Sequence, residues 1–118
     1  MPRHWVQGAL AERGENGMIN GRFRVNLIQV KTEPDGARYW YRNGLRHRED
    51  GPAVERPNGT KFWFRNGLRH REDGPAVEYP DGSKYWYRNG QLHREDGPAI
   101  EFPDGDEEHW LNGERVFL

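Results

Sequence analysis

The sequence predicts an all-β protein, an elongated antiparallel meander of stacked β-hairpin repeats, and three observations lead there. Asn-Gly recurs at Asn20-Gly21, Asn43-Gly44, Asn66-Gly67, Asn89-Gly90 and Asn112-Gly113, always 23 residues apart. Pro-Asp-Gly or Pro-Asn-Gly recurs with the same period, at Pro34, Pro57, Pro80 and Pro103. His-Arg-Glu-Asp-Gly-Pro-Ala begins at His47, His70 and His93. Self-similarity at a fixed period of this size marks a repeat architecture. Three copies are nearly identical and one at each end is degenerate.

Each signal specifies one element. Pro-Asp-Gly suits a type I turn with glycine in the left-handed position, a three-residue hairpin loop closed by a bulge. Asn-Gly is the strongest two-residue hairpin signal. Between them lies Lys61-Phe62-Trp63-Phe64-Arg65, and its equivalents, rich in strand-favouring aromatics. Each unit reads as a short three-strand meander, and no segment after Val25 carries a helical period.

The loops also specify a register. A hairpin closed over Pro57-Asn58-Gly59 sets Arg56 opposite Thr60, Glu55 opposite Lys61, Val54 opposite Phe62 and Ala53 opposite Trp63. One period on, Glu78 faces Lys84, Val77 faces Tyr85 and Ala76 faces Trp86, while the Asn-Gly loop sets Trp63 opposite His70 and Trp86 opposite His93. Cross-strand pairs of this kind contribute about 0.2–1 kcal/mol each, and a one-residue slip removes them all. The C-terminal hairpin departs in charge, because the same register sets Glu101 against Glu107. Two faces follow. One carries Val54, Phe62, Phe64 and their equivalents Val77, Tyr85, Tyr87, and is the more apolar. The other carries an Ala–Trp–His row per repeat, rimmed by Lys61, Arg65 and Glu55, so that Trp40, Trp63 and Trp86 form a stripe.

Composition agrees with a thin, aromatic protein. In 118 residues, 18 basic side chains nearly cancel 19 acidic ones, and five Trp, five Tyr and five Phe supply apolar area that sparse aliphatics do not. Near-neutral charge separates this chain from disordered ones of similar hydrophobicity. The absence of Cys removes a disulfide framework, a thiolate zinc site and a cysteine nucleophile. No apolar run approaches the roughly 20 residues of a membrane span, and Met1-Pro2-Arg3-His4-Trp5 lacks the apolar core of a signal peptide. A soluble, cytoplasmic protein is the expectation, the cytoplasm being that of the host cell if the protein is viral.

The ends differ from the array. Residues 1–19 leave the pattern, with His4–Leu10 readable as an extra strand or a capping turn, and the repeat array covers 20–118. In the last unit Glu107 and Glu108 occupy the Lys and Tyr positions, and Trp110 falls one place late. A polar terminal repeat keeps a solenoid soluble and edge charge discourages edge-to-edge pairing, so this end reads as a cap, with a functional acidic patch as the alternative. Net charge runs from +5 over residues 1–48 through −1 over 49–96 to −5 over 97–118. That gradient serves solubility, or else a head-to-tail contact or an oriented partner.

Tyr79-Pro80-Asp81-Gly82-Ser83-Lys84-Tyr85, Asn89-Gly90-Gln91-Leu92-His93 and Gly97-Pro98-Ala99 resemble a membrane occupation and recognition nexus (MORN) repeat. The resemblance covers roughly residues 20–118, in period, turns and histidine. The usual Tyr-x-Gly-x-Trp before Asn-Gly is contracted here to Tyr-Trp-Tyr-Arg, and the segment after His is lengthened to Arg-Glu-Asp-Gly-Pro-Ala. This variant is similar to repeats in phage and large-virus proteins. The resemblance implies an elongated sheet of stacked hairpins that serves as a scaffold. The family's lipid binding is not expected here, because the sheet lacks a Lys-rich surface.

The repeated residues argue against chemistry. At about 4.8 Å per strand, histidines three strands apart lie about 14 Å from one another, too far to share an ion held by bonds of about 2.1 Å. The expected role is a His bonded to the Asp of its own turn and packed on Trp. Glu49-Asp50, Glu72-Asp73 and Glu95-Asp96 recur identically, whereas an active site needs one asymmetric constellation, so they read as turn-formers. No nucleophile motif, P-loop or dinucleotide fingerprint is present. No catalytic residue, metal or cofactor is expected.

The Trp stripe, flanked by Arg38, Arg42, Lys61, Arg65, Lys84 and Arg88, is the functional candidate. Arg outnumbers Lys fifteen to three, a bias expected where guanidinium groups pair with carboxylates or stack on aromatics. Trp, Tyr and Arg are enriched in interface hot spots. The same rows also hold the sheet together. Trp40, Trp63, Trp86, Arg42, Arg65 and Arg88 are the expected partner-binding residues, with the three arginines exposed beside the Asn-Gly turns. The expected function is a non-enzymatic protein-binding module, which for a phage or virus means binding and inhibiting a host factor such as a defence complex. The alternative is nucleic-acid or nucleotide binding, with bases on Trp and phosphates on Arg. Self-association is a further possibility; a membrane is not an expected partner.

Overall fold

The computed structural model describes residues 4–11, 17–19, 22–24 and 27–118, with side chains from residue 28 onward. The Asn20-Gly21 turn lies outside the described residues. All described elements are strands, and among the described residues no helix is long and apolar enough to cross a membrane. One sheet runs along the chain. His4–Ala11 pairs with Leu27–Thr32 and that strand with Arg38–Arg42. Val54–Glu55, Lys61–Phe62, Val77–Glu78, Lys84–Tyr85, Ile100–Glu101, Glu107–Leu111 and Glu114–Val116 follow, each antiparallel to the one before. The molecule extends 55 × 37 × 17 Å along its principal axes.

The turns take the predicted forms. Asn43, Asn66, Asn89 and Asn112 have φ of 49–52° and the glycines after them 77–83°, which is the type I′ geometry that only Asn and Gly enter at little cost. In the other hairpin Gly59 has φ 95°, its N–H donates to the Arg56 carbonyl at 3.0 Å, and the Asn58 side chain accepts the Thr60 N–H at 2.9 Å. Asp81 does the same for Ser83 at 2.8 Å. These loops set the predicted register: Glu55 lies opposite Lys61 and Val54 opposite Phe62, Glu78 opposite Lys84 and Val77 opposite Tyr85. Glu101 faces Glu107, as the sequence requires.

Two expectations are corrected. Trp63 donates its backbone N–H to Ala76 of the following repeat at 2.7 Å, while the Ala53 N–H goes to the Phe62 carbonyl at 2.8 Å, so the hydrogen-bond partner of each Trp is the next alanine on. The cause is Pro52. It has no N–H to continue the hairpin, and the strand begins only at Val54. In the first hairpin, where no proline intervenes, Val30 does face Trp40. Secondly, each regular repeat adds two strands to the main sheet, not three. Val77–Glu78 settles beside Lys61–Phe62, and Leu68–Arg69 pairs only with Phe64–Arg65 in a side ribbon, as Gln91–Leu92 does with Tyr87–Arg88. The repeat spacing is therefore about 10 Å, at about 4.8 Å per strand, rather than 14 Å.

The side ribbon still joins neighbours. The turn glycines Gly67, Gly90 and Gly113 donate to the carbonyls of Arg46, Arg69 and Leu92 of the preceding repeat at 2.8–2.9 Å. The core is continuous across repeats: Trp40, Ala53, Val54, Phe62, Phe64 and Val77 form one buried cluster, and Ala53, Ala76 and Ala99 have no exposed surface. On the apolar face Phe62, Tyr79, Tyr85 and Phe102 meet edge to face, with ring centres 5.7–6.3 Å apart, the arrangement the ring quadrupole favours. Arg46 and Arg69 each lie between two of that face's rings, at 5.4–5.5 Å.

Candidate binding face

The opposite face is built from a unit that occurs three times. The aromatic strand supplies a tryptophan, and the segment after each histidine folds back so that an arginine lies flat on it. Arg48 sits 4.0 Å from the Trp40 ring centre, Arg71 3.9 Å from Trp63 and Arg94 4.0 Å from Trp86. Each guanidinium is held by its own loop. Arg71 donates from Nε to Asp73 at 3.1 Å and from Nη1 to the Pro75 carbonyl at 3.0 Å and to Glu78 at 3.1 Å. Arg94 repeats this with Asp96, Pro98 and Glu101, at 3.0, 3.0 and 3.2 Å. Gly74 makes room for the arrangement: a Cβ there would stand 2.9 Å from the Arg71 guanidinium carbon.

Histidine locks each unit to the next. His47 is buried, its Nδ1 accepts the backbone N–H of Asn66 at 2.9 Å, and its Nε2 meets Glu49 at 2.7 Å. His70 bridges Asn89 and Glu72 in the same way, and His93 bridges Asn112 and Glu95. An imidazole that accepts at Nδ1 carries its proton on Nε2 and donates it to the glutamate. Burial holds the His47 pKa below its ordinary value, with Arg42 and Arg65 pushing the same way against the Glu49 hydrogen bond. Burial acts to raise Glu49, but the His47 hydrogen bond and charge, with Arg65, outweigh it and leave that carboxyl below its ordinary range. The His70 hydrogen bond lowers Glu72. The partner of each histidine is thus the Glu of its turn and not the Asp, which is taken by the arginine.

Among the described residues, two open grooves lie between successive loops. The first, about 540 Å³, has Trp63 among its lining residues, with Arg48, Glu49 and Asp50 from one loop and Arg71, Glu72 and Asp73 from the next. The second, about 530 Å³, repeats this around Trp86 one unit further on. Arg65 spans the first groove's walls, with Nη2 3.4 Å from Glu49 and Nη1 3.5 Å from Glu72, and Arg88 lies 3.6 Å from Glu95.

The expected site residues divide accordingly. Trp63 and Trp86 are half-buried and line the grooves, and Arg65 and Arg88 stand at the walls with exposed side chains. Trp40 is buried. Arg42 is buried too, contrary to expectation, and donates from Nη2 to the Asn66 side chain at 2.8 Å. Its strand pairs along its full length with Leu27–Thr32, Ile28 lying opposite Arg42, whereas the Phe64–Arg65 strand that holds Arg65 pairs only with Leu68–Arg69. Sequence reasoning missed Arg48, Arg71 and Arg94, although each stands eight residues after a Trp in every regular copy. No family model, curated protein or solved structure matches the chain.

Proposed function

We propose that this chain is a non-enzymatic protein-binding repeat module and that its binding face is the Trp–Arg face with its two grooves. The observation that carries the reading is the triplication of one unit, an arginine-covered tryptophan beside a carboxylate loop, at a constant spacing along one sheet. A reaction centre is a single asymmetric constellation; a surface repeated in register suits a partner that spans several units. Trp and Arg dominate interface hot spots, and the grooves have the size of ordinary ligand clefts. Against the nucleic-acid reading, one face of each indole is already covered by the protein's own arginine, and Arg71 and Arg94 each make three hydrogen bonds to internal acceptors. The resemblance to phage and large-virus repeats makes a host factor, such as a defence complex, the first partner to try.

The test is affinity capture from nuclease-treated host lysate with the intact chain and with the Arg65→Ala, Arg88→Ala double variant. Capture that survives nuclease and changes in the folded double variant supports the reading. Capture that nuclease abolishes favours nucleic acid, and capture indifferent to both substitutions moves the site elsewhere.

A further inference from the structure

We propose that the two grooves bind an extended, polyproline-II segment of the partner that carries a basic side chain at every third residue. This rests on the protein-binding reading and adds the chemistry of the ligand. Charge gives its sign. The first groove is lined by three arginines and four carboxylates, and the second by the same numbers. Their exposure is unequal. The side chains of Arg71 and Arg94 are 23% and 22% exposed and turned onto indoles, whereas Asp73 and Asp96 are 87% and 88% exposed and Glu72 and Glu95 60% and 69%. Arg65 and Arg88, 43% and 48% exposed, stand at the walls, so in each groove the outward-facing carboxylates outnumber the outward-facing guanidiniums and the fitting ligand supplies donors and positive charge. Trp63 and Trp86 supply apolar surface on which the methylene stem of an Arg or Lys can lie while its head reaches the carboxylates.

Spacing gives the conformation. Equivalent points in the two grooves are one repeat apart, two strands at about 4.8 Å each, or about 10 Å. A polyproline-II segment has three residues per turn and rises about 3.1 Å per residue, so side chains three apart share a face and repeat every ~9.3 Å. In a β-strand, by contrast, residues three apart point to opposite faces. Each groove alone holds one cation weakly. Two cations on one stiff segment convert the second contact into an intramolecular one, and affinity then depends on spacing.

The experiment is a fluorescence-anisotropy titration of the full chain with three labelled peptides: (Arg-Pro-Pro)₃, a peptide of equal length and charge with Arg at every second residue, and (Glu-Pro-Pro)₃. The expected result is at least tenfold tighter binding of the first peptide than of the second, no binding of the third, and weakening with salt. Asp73→Asn with Asp96→Asn, which keeps an oxygen for Arg71 and Arg94, lowers the affinity at least tenfold. Arg65→Ala, which removes a competing cation from the first groove, raises it. Equal affinity for the two spacings, no binding of either, or insensitivity to all these substitutions overturns the proposal. So does tighter binding of a helical peptide with arginines seven residues apart. If the peptides fail while the double arginine variant still alters capture of a protein partner, the ligand chemistry falls and the binding face stands; if both fail, both fall.

Discussion

His70 accepts the backbone N–H of Asn89, nineteen residues further on, at 2.9 Å through Nδ1, and His47–Asn66 and His93–Asn112 repeat the contact. Each histidine thus satisfies a backbone donor of the next unit's type I′ turn, and the array is closed by side chain to backbone as well as by the sheet. Replacing His70 with Ala leaves the Asn89 N–H and Glu72 without this partner and opens a void beside Trp63. Such losses cost about 2–4 kcal/mol, and chemical denaturation of the variant at neutral pH measures them.

The same geometry makes stability depend on pH. Because the folded-state pKa of His47 is depressed, folding favours its neutral form. The stabilisation is complete above the ordinary histidine value of about 6.5 and is lost as pH falls from there through the folded value, since the unfolded chain then binds the extra proton. Glu49 and Glu72, also depressed, hold their contribution above the ordinary carboxyl range and lose it at lower pH still. Melting curves are therefore expected to show a first drop that sets in as pH falls below about 6.5 and a second below about 4.5. A melting temperature that is flat from pH 7 to 5 contradicts the role given to His47.

Arg42 and Arg65 occupy equivalent sequence positions but not equivalent environments. Arg42→Ala removes a buried donor from Asn66, with an expected loss of about 1–3 kcal/mol. Arg65→Ala and Arg88→Ala, at exposed positions, are expected to change stability by less than about 0.5 kcal/mol each. Paired melting curves for the three variants decide this, and equal losses refute the distinction.

Gly74 is tied to the Arg71–Trp63 stack rather than to a turn. Its Cβ position falls beside the movable end of Arg71, so Gly74→Ala displaces the guanidinium instead of breaking the backbone. The expected cost is about 1 kcal/mol, the scale of a partly buried cation–π contact, together with a change in tryptophan fluorescence. Unchanged fluorescence indicates that the stack survives the extra methyl.

The hairpins were legible because Asn-Gly and Pro-Asx-Gly dictate backbone conformation locally, and Glu55–Lys61 and Val54–Phe62 follow by counting outward from a turn. Counting failed where a longer loop intervened. Between His70 and Ala76 the chain turns back, and nothing local says that Val77 lands beside Phe62 rather than Leu68. The Trp63–Ala76 bond, the two-strand repeat and the Arg71 cap all depend on that loop. The burial of Arg42 depends on the full-length neighbour Leu27–Thr32, which lies outside the regular repeats.

On the proposed function, the grooves around Trp63 and Trp86 receive a protein partner. Titration of the isotope-labelled chain with the captured partner, following the indole N–H resonances, reads this role at the tryptophans themselves. The Trp63 and Trp86 signals are expected to shift together, while Trp110, whose indole donates to Glu108 at 3.0 Å in the terminal unit, stays in place. A shift confined to Trp110, or a bound complex in which neither Trp63 nor Trp86 moves, contradicts this role for the grooves.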